Sequence, residues 1–561
     1  MGDHRGEGNG PGSGAAGAAG RRGGAFRRRR LGLASAAVVI GGAAVAALGT
    51  AAAASAASRA EQSGGPVLTW GQYADPGSLW NATDFNATDG APIMSLVNQG
   101  LLAFTPNNQL APALATSWKE VTPTDYVYTI RTGVKFSNGD PLTPQDVVYS
   151  FDVQRNPQVA SDESTFFTDI TSVTASGDDV IVKLAQPDAI WTDIPAHEGG
   201  YIYDEKSLEG HLKDYGTPSV LPIGTGPYEV QSYIANSSIT LVRNPYYWGP
   251  KPYYSEIVFD IIPNDQTLFL AVESGKVQGT FDVPSSSLRQ WTATPTIHVI
   301  KYPADGFFGW TLDETEAPFN DIHVRKAIAY ATNRAGIASA VFGGTAVVAK
   351  TLDDPRTFQG ILPASEVAKA FAAIPAYSYD TAAAKAQMAE STVPHGFTTT
   401  LNVAADCQPC SEISEAEQQT LGQIGITLKL KTMPGPARFQ LILKHGKDLG
   451  IQLIGNLADV PNPIELPWLY YASDQAVRGG NNSSNFSNPE VDKLINEGIV
   501  SSTDMTSVAE DALQAETIAA DNVAMVPIVY LDDLAATSGS LTMSSPGAFF
   551  DDYLWIDQLH R

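Results

Sequence analysis

The sequence predicts an α/β protein built as two or three compact units, and three observations predict it. The chain has 561 residues, too many for one hydrophobic core, since single cores stop growing near about 250–300 residues. Segments with the two-residue alternation of strands are interspersed with segments of helical spacing. No stretch repeats at a fixed period, so the pattern argues for α/β lobes rather than a solenoid or a sandwich.

The elements follow in chain order. "DYVYTIRTGVKF" (Asp125 to Phe136) alternates as a hairpin strand does, and "DDVIVKLAQP" repeats the pattern. "TPQDVVYSFDVQ" opens with helix-start chemistry: Thr143 as N-cap, Pro144 at the first helical position and Asp146 in the first turn. "GTGPYEV" (Gly224 to Val230) reads as a tight turn entering a strand, because Pro227 removes an amide that a phosphate cradle would need. "DIHVRKAIAYATNRAGIASAVF" places Val324, Ile328 and Ala331 at helical spacing behind an Asp321 cap. "TAAAKAQMAEST" is a short Ala-rich helix, and "MVPIVYLDDLAATS" is a buried strand. The acid pairs Asp178-Asp179, Asp353-Asp354 and Asp532-Asp533 read as solvated turns.

Charge is distributed unevenly. Residues 1–60 hold eight Arg and two acids, leaving 27 basic and 58 acidic residues, a net −31, for the remainder. A body that acidic repels phosphate backbones, which argues against nucleic acid as a partner. In the leader, Arg27 to Arg30 precede 27 uncharged residues rich in Ala and Gly, ending in small residues. Charged n-region, apolar h-region and small c-region describe an export signal, with cleavage expected between Ala56 and Gly65. Arg28-Arg29-Arg30-Leu31 resembles a twin-arginine signal, so two export routes stand open, as does an uncut anchor. No cysteine follows the leader, so lipid attachment at a lipobox is not expected.

The two cysteines of the chain, Cys407 and Cys410, form "CQPC". Outside the cytosol such a pair forms a small-loop disulfide; the same spacing also serves redox sites, and both readings stand. The eight His are scattered, with no ligand spacing near the pair, so no metal and no cofactor are expected. Beyond the Gly/Ala-rich leader no G-x-S-x-G, H-E-x-x-H, Walker loop or G-x-G-x-x-G is present, which moves the expectation from enzyme to binding protein.

One loop stands out. In "IGNLADVPNPIELPWLYY" (Ile454 to Tyr471), Asp459 lies between an apolar strand-like run and a stiff segment with Pro461 and Pro463. By itself the carboxylate reads as a solvated turn residue or a helix cap.

Blocks from Asn98 to Gly498, in this order, resemble the extracytoplasmic solute-binding proteins of ABC importers, in the oligopeptide/dipeptide/nickel-binding class (family 5). They include "NQGLLAFTPNNQLAPALATSWKEVTPTDYVYTIRTGVKFSNGDPLTPQDVVYSFD", "GTGPYEVQSYIANSSITLVRNPYYWG", "VESGKVQGTFDVP", "APFNDIHVRKAIAYATNR", "YDTAAAKAQMAE", "QQTLGQIGITLKL" and "NFSNPEVDKLINEG". Asp313 stands where the family more often has Asn. The resemblance implies a two-lobed periplasmic-binding-protein-like fold (class II) with an inserted domain and a hinge. Domain I would combine 66–98, 220–305 and 525–561, domain II would be the insertion 99–219, and domain III would be 306–524. It implies no enzyme but a monomeric receptor that closes over a peptide or other small solute and presents it to permease subunits.

By the same resemblance Asp459 would pair with the α-amino group of a bound peptide, flanked by Asn456, Leu457 and Asn462. Asn456 replaces a usual aromatic and Asn462 a usual acid. Trp70 and Tyr73 at the first strand's exit, Phe166 and Phe167, and Trp310 are further cleft candidates, each with core packing as the competing reading. Arg356 reads as a surface residue or a carboxylate partner. Alternatives in function are the same fold holding an oligosaccharide or a metal chelate, and an exported redox or hydrolytic enzyme.

Overall fold

The computed structural model describes residues 64–561 apart from 81, 83–86, 406, 446–448 and 502–503; the leader lies outside the described residues. Its backbone is a nine-stranded mixed sheet. Across that sheet run Ile451–Leu457, Ile297–Leu312, Met525–Ser538, Gly279–Thr280, Val67–Gln72, Glu256–Ile261, Ser238–Arg243 and Tyr228–Ile234, with Val347–Val348 added beside Met525–Ser538.

Two of these strands belong to both halves of the sheet. Ile297–Pro303 pairs with Asp532–Ser538 in the first lobe, and Phe307–Thr311 pairs with Met525–Tyr530 in the second. Between them the register breaks: Ala304, Asp305 and Gly306 face a single residue, Leu531. Asp305 sits there at φ 44°. Extra residues in one strand bend it and interrupt the ladder, so the two strands change direction here as they cross from one lobe to the other. Met525–Ser538 matches the strand predicted for that stretch, and it is buried over its first six residues.

Local signals explain the other elements. Thr143 donates from its backbone amide and hydroxyl to Asp146 (2.8 and 2.6 Å), opening the helix Pro144–Gln154. Asp321 caps Ile322–Ala331 through the His323 amide (2.9 Å). The helical pattern expected to run on to Phe342 is interrupted instead. Thr332 is extended, and Asn333 caps a second helix, Arg334–Ala340. Asn333 accepts from the Gly336 amide, an N-cap bond that competes with helix continuation.

The insertion carries its own antiparallel sheet of Ala115–Thr122, Asp125–Ile130, Asp179–Leu184 and Ile170–Ser176. Its core, around Phe151, Phe167 and Trp191, is continuous with second-lobe residues Ile464, Leu469 and Val491. The Ala189 amide donates to the Ile499 carbonyl at 2.7 Å, so the insertion and the second lobe are joined by backbone as well as side chains.

Candidate functional site

Val67–Gln72 runs parallel to both Glu256–Ile261 and Gly279–Thr280, so their carboxyl ends emerge at one edge. In α/β sheets that edge, where connections diverge, is where ligands bind. The second lobe brings the ends of Phe397–Ala404 and Ile426–Met433, also parallel, and of Ile451–Leu457. A cavity of about 340 Å³ lies in the interlobe space. It is lined by Tyr73 and Asp282 from the first lobe, Asp532 and Asp533 from the crossing strand, and Gln408 and Glu412 from the second. Asp265 at the start of a first-lobe helix adds a further carboxylate.

These groups are held in place. Asp282 accepts the Tyr73 amide (2.9 Å), while its own amide donates to Thr280 Oγ1 (2.9 Å), tying two strand ends together. Burial and the neighbouring Asp532 push Asp533 up to about 6. No Lys, Arg or His lines this cavity among the described residues. Gln408 and Glu412 lie on the helix Gln408–Gly422, whose N-cap is Cys407. Cys407 and Cys410 are joined as a disulfide (Cα–Cα 5.3 Å), and Cys407 Sγ accepts the Cys410 amide at 3.2 Å. The helix therefore begins at Gln408, directly behind the first cysteine.

A larger cavity, about 670 Å³, adjoins through the shared Asp532 and carries both signs, with Lys301, Lys350 and Arg356 beside Asp354 and Asp532 in its lining. Arg356 donates to Asp354 and Asp532, both at 2.6 Å, and Lys301 reaches Asp532 at 2.7 Å. Lys350 donates to the Phe371 carbonyl (2.8 Å) and has no carboxylate partner among the described residues. The solvated-turn reading of two acid pairs is corrected here. Asp353 and Asp354 are 1% and 5% exposed, and the Asp532 side chain 2%. Asp354 and Asp532 sit at the lobe junction, where Arg356 and Lys301 supply the charge that water would supply at a surface. Asp353 lies beside Glu516 instead, and burial with that like charge holds it well above the usual carboxylate range. Arg356 likewise meets carboxylates of this chain and is two-thirds covered.

The Asp459 loop leaves Ile451–Leu457 beside the register break, with the Ala458 amide donating to the Asp305 carbonyl (2.9 Å). Asp459 is half-buried. Its partner, which sequence reasoning missed, is Glu465. That fully buried carboxyl accepts the Asp459 and Val460 amides, each at 3.0 Å, and faces the Asp459 carboxyl. Burial and the charge of Asp459 hold Glu465 well above the usual carboxylate range. Burial raises Asp459 too, opposed by its hydrogen bond with Glu465. Two like charges this close are costly when both ionise, so the pair shares a proton and titrates as a unit. The spacing of six residues, with Pro461 and Pro463 between, was the available signal. Asn462 turns away from this pair: its Nδ2 donates to the Ala189 carbonyl (3.1 Å) and approaches Asp193 (3.4 Å) in the insertion.

The remaining candidates divide. Asn456 and Leu457 lie opposite Phe307 and Gly306 at the end of the strand, part-buried and exposed, and Tyr73 is 43% exposed in the interlobe cavity. Trp70 packs between Phe281 and Trp555 (ring centroids 5.0 and 4.9 Å) and is fully buried. Phe167 packs edge-on against Phe151 and Trp191 inside the insertion, Phe166 against His197, and Trp310 lies in the second-lobe core. The structure gathers Tyr73, Asn456, Leu457 and Asp459 towards the lobe junction and leaves those four rings in cores.

Comparison with known proteins places this geometry. A sequence model of bacterial extracellular solute-binding proteins, family 5 (middle), matches residues 109–477. The chain is 26% identical over 470 residues to the "Probable D,D-dipeptide-binding periplasmic protein DdpA" of Escherichia coli K12, covering 82% of this chain and 87% of that one. It is 24% identical over 486 residues to the glutathione-binding protein GsiB of the same organism, covering 84% and 91%. In fold it is similar to the periplasmic binding protein DppA of Helicobacter pylori in complex with peptide STSA. The TM-score is 0.75 at 20% identity, covering 88% and 98%. The binding protein AgaA of A. tumefaciens R10, in complex with agropinic acid, is equally similar: TM-score 0.75 at 21% identity, with the same coverage.

Proposed function

Because the chain belongs to the bacterial extracellular solute-binding proteins, family 5, we propose that it captures an amine-bearing, peptide-like solute between its lobes for an ABC permease. The observation that carries this reading is the pair of adjoining cavities at the lobe junction, one lined by carboxylates with no cation among the described residues and one where Lys301, Lys350 and Arg356 outnumber Asp354 and Asp532. A zwitterionic solute has an end for each. An ammonium leaving water for a closing cleft needs a charge partner, or its desolvation outweighs the attraction the cleft offers. Asp282, Asp533 and Glu412 offer that partner at one wall, and Asp459 offers it from the loop.

Three bodies accomplish the capture: 66–98 with 220–305 and 525–561, the insertion 99–219, and 306–524. They turn about the register break at Ala304–Gly306. The chain acts as an exported monomer with its leader removed between Ala56 and Gly65, and it performs no chemistry on the solute. No helix of the described residues is long and apolar enough to cross a membrane.

The test is calorimetric titration with di- to tetrapeptides bearing free or acetylated amino termini, paired with small-angle scattering. Free-amine peptides should bind and shrink the radius of gyration, and acetylated ones should bind far more weakly. Equal affinity for both, or binding without compaction, overturns the reading.

A further inference from the structure

The cysteine pair sits in a strand–turn–helix unit of the second lobe. The strand Phe397–Ala404 leads to Cys407, the helix Gln408–Gly422 follows, and the chain returns as Ile426–Met433, parallel to the first strand. A C-x-x-C where a strand meets the helix of such a βαβ unit is the placement that thiol–disulfide exchange uses. Neither cysteine is buried. Cys410 packs against the second-lobe core, while Cys407 occupies the N-cap at the helix end. Gln408 and Pro409, the residues between the two sulfurs, line the interlobe cavity, so the turn that carries the pair faces open space.

Two features suit reversible chemistry better than a structural tie. The cysteines are three positions apart, so closing the ring between them adds little to folding stability. The helix runs for 15 residues, and the amides of its first turn favour negative charge at the N-cap. The Cys410 amide already donates to Cys407 Sγ at 3.2 Å, and that bond strengthens when the sulfur becomes a thiolate. The Glu412 carboxylate, one turn on, opposes the thiolate, but it is engaged by Gln408 Nε2 at 3.0 Å. The fold thus favours the reduced pair over what the same ring would show in a free peptide. A thiolate held in this way serves both as nucleophile and as leaving group.

We propose that Cys407 and Cys410 form a thiol–disulfide exchange site for low-molecular-weight thiols, working beside solute capture and independently of it. An incoming thiolate attacks Cys407 Sγ, because the core backs Cys410. The new S–S bond forms as the Cys407–Cys410 bond breaks, and Cys410 leaves with the electron pair and takes up a proton. A second thiolate attacks the external sulfur of the mixed disulfide, and Cys407 leaves as the thiolate beside the Cys410 amide. Two thiols have become one disulfide, and the protein pair has gained their two electrons. The test equilibrates the mature chain with β-mercaptoethanol and its disulfide, a couple without amine or peptide bond, and reads the reduced fraction by alkylation and mass spectrometry. The oxidised peptide 405–412 carries the same ring without the fold. The equilibrium constant for reducing the protein should exceed that of the peptide by about tenfold or more. A structural tie gives the opposite order, because the fold then favours the closed ring, so a protein no more reducible than the peptide overturns the proposal. Single variants locate the attacking sulfur: Cys410→Ser should form the mixed disulfide about tenfold or more faster than Cys407→Ser. Equal rates, or a faster Cys407→Ser, overturn it as well. No solute is present in either measurement, so the peptide-capture reading stands or falls separately.

Discussion

Replacing Asp459 by Asn should separate binding from stability. In the free protein Asp459 and Glu465 share one proton, and Glu465 is held high by burial as well as by the charge of Asp459. The Asn side chain keeps the volume and a carbonyl acceptor for Glu465, and it removes the repulsion. The two backbone amides of Asp459 and Val460 still bond Glu465 at 3.0 Å. Stability at neutral pH should therefore hold within about 0.5 kcal/mol or rise, as for substitutions that disturb no buried network. An amine-bearing solute, by contrast, loses the charge that pairs its ammonium. The truncation of one partner in a buried charge pair costs about 2–5 kcal/mol, and each 1.4 kcal/mol is tenfold in Kd. The affinity should fall at least about 25-fold on that scale. Urea unfolding and calorimetric titration of wild type and variant, with Asp474→Asn as an exposed control, supply both numbers. Glu465→Gln makes the contrast sharper. Its Nε2 cannot accept the second amide, so it should cost about 1–3 kcal/mol of stability. A destabilised Asp459→Asn with unchanged affinity would refute the shared-proton argument and return Asp459 to a turn residue.

Other perturbations probe the same geometry. Glu516 is raised by burial to about 8, Asp193 and Glu417 to about 7, and Asp305 and Asp533 to about 6. The folded state therefore holds protons that the unfolded chain has released. Stability should fall as pH rises from about 4 to 8, with a slope of up to about 1.4 kcal/mol per pH unit for each proton retained, and level off above. Thermal melts across that range check it, and a flat or rising profile refutes it. Arg356→Met strips Asp354 of its cation while Asp532 keeps Lys301; with the Arg356 side chain 32% exposed, the loss should be about 2–3 kcal/mol by urea unfolding, below the roughly 3–5 of a fully buried pair. Replacing Cys407 and Cys410 together by Ser should cost at most about 2 kcal/mol, since the closed loop is short, yet weaken solute binding by loosening the wall that carries Gln408 and Glu412. Unchanged affinity in a calorimetric titration would place the disulfide outside the site's construction.

How much of this was legible in the sequence depends on the range of the interaction that decides each feature. The Thr143–Asp146 helix start and the strand Met525–Ser538 rest on residues adjacent in the chain, so the order of residues alone specifies them. The fold class followed from the same local patterns and from the family's ordered blocks. Whether an aromatic ring faces a cleft or a core is a different kind of question. Trp70, Phe167 and Trp310 carry the same drive to bury area in either place, and only their neighbours from distant segments decide it. Charge pairing is longer in range still. Asp353-Asp354 and Asp532-Asp533 have the local look of turns, and only groups from distant segments, Arg356 against Asp354 and Asp532 and Glu516 against Asp353, show them to be interior. Asp459 shows both sides at once: its stiff loop was readable from two prolines, but its protonation belongs to a contact with Glu465 that exists only once the loop has closed on itself. Helices and strands are readable from the chain because their hydrogen bonds and caps are local. The site waits on the folded arrangement, because desolvation and charge act through space between segments far apart in sequence.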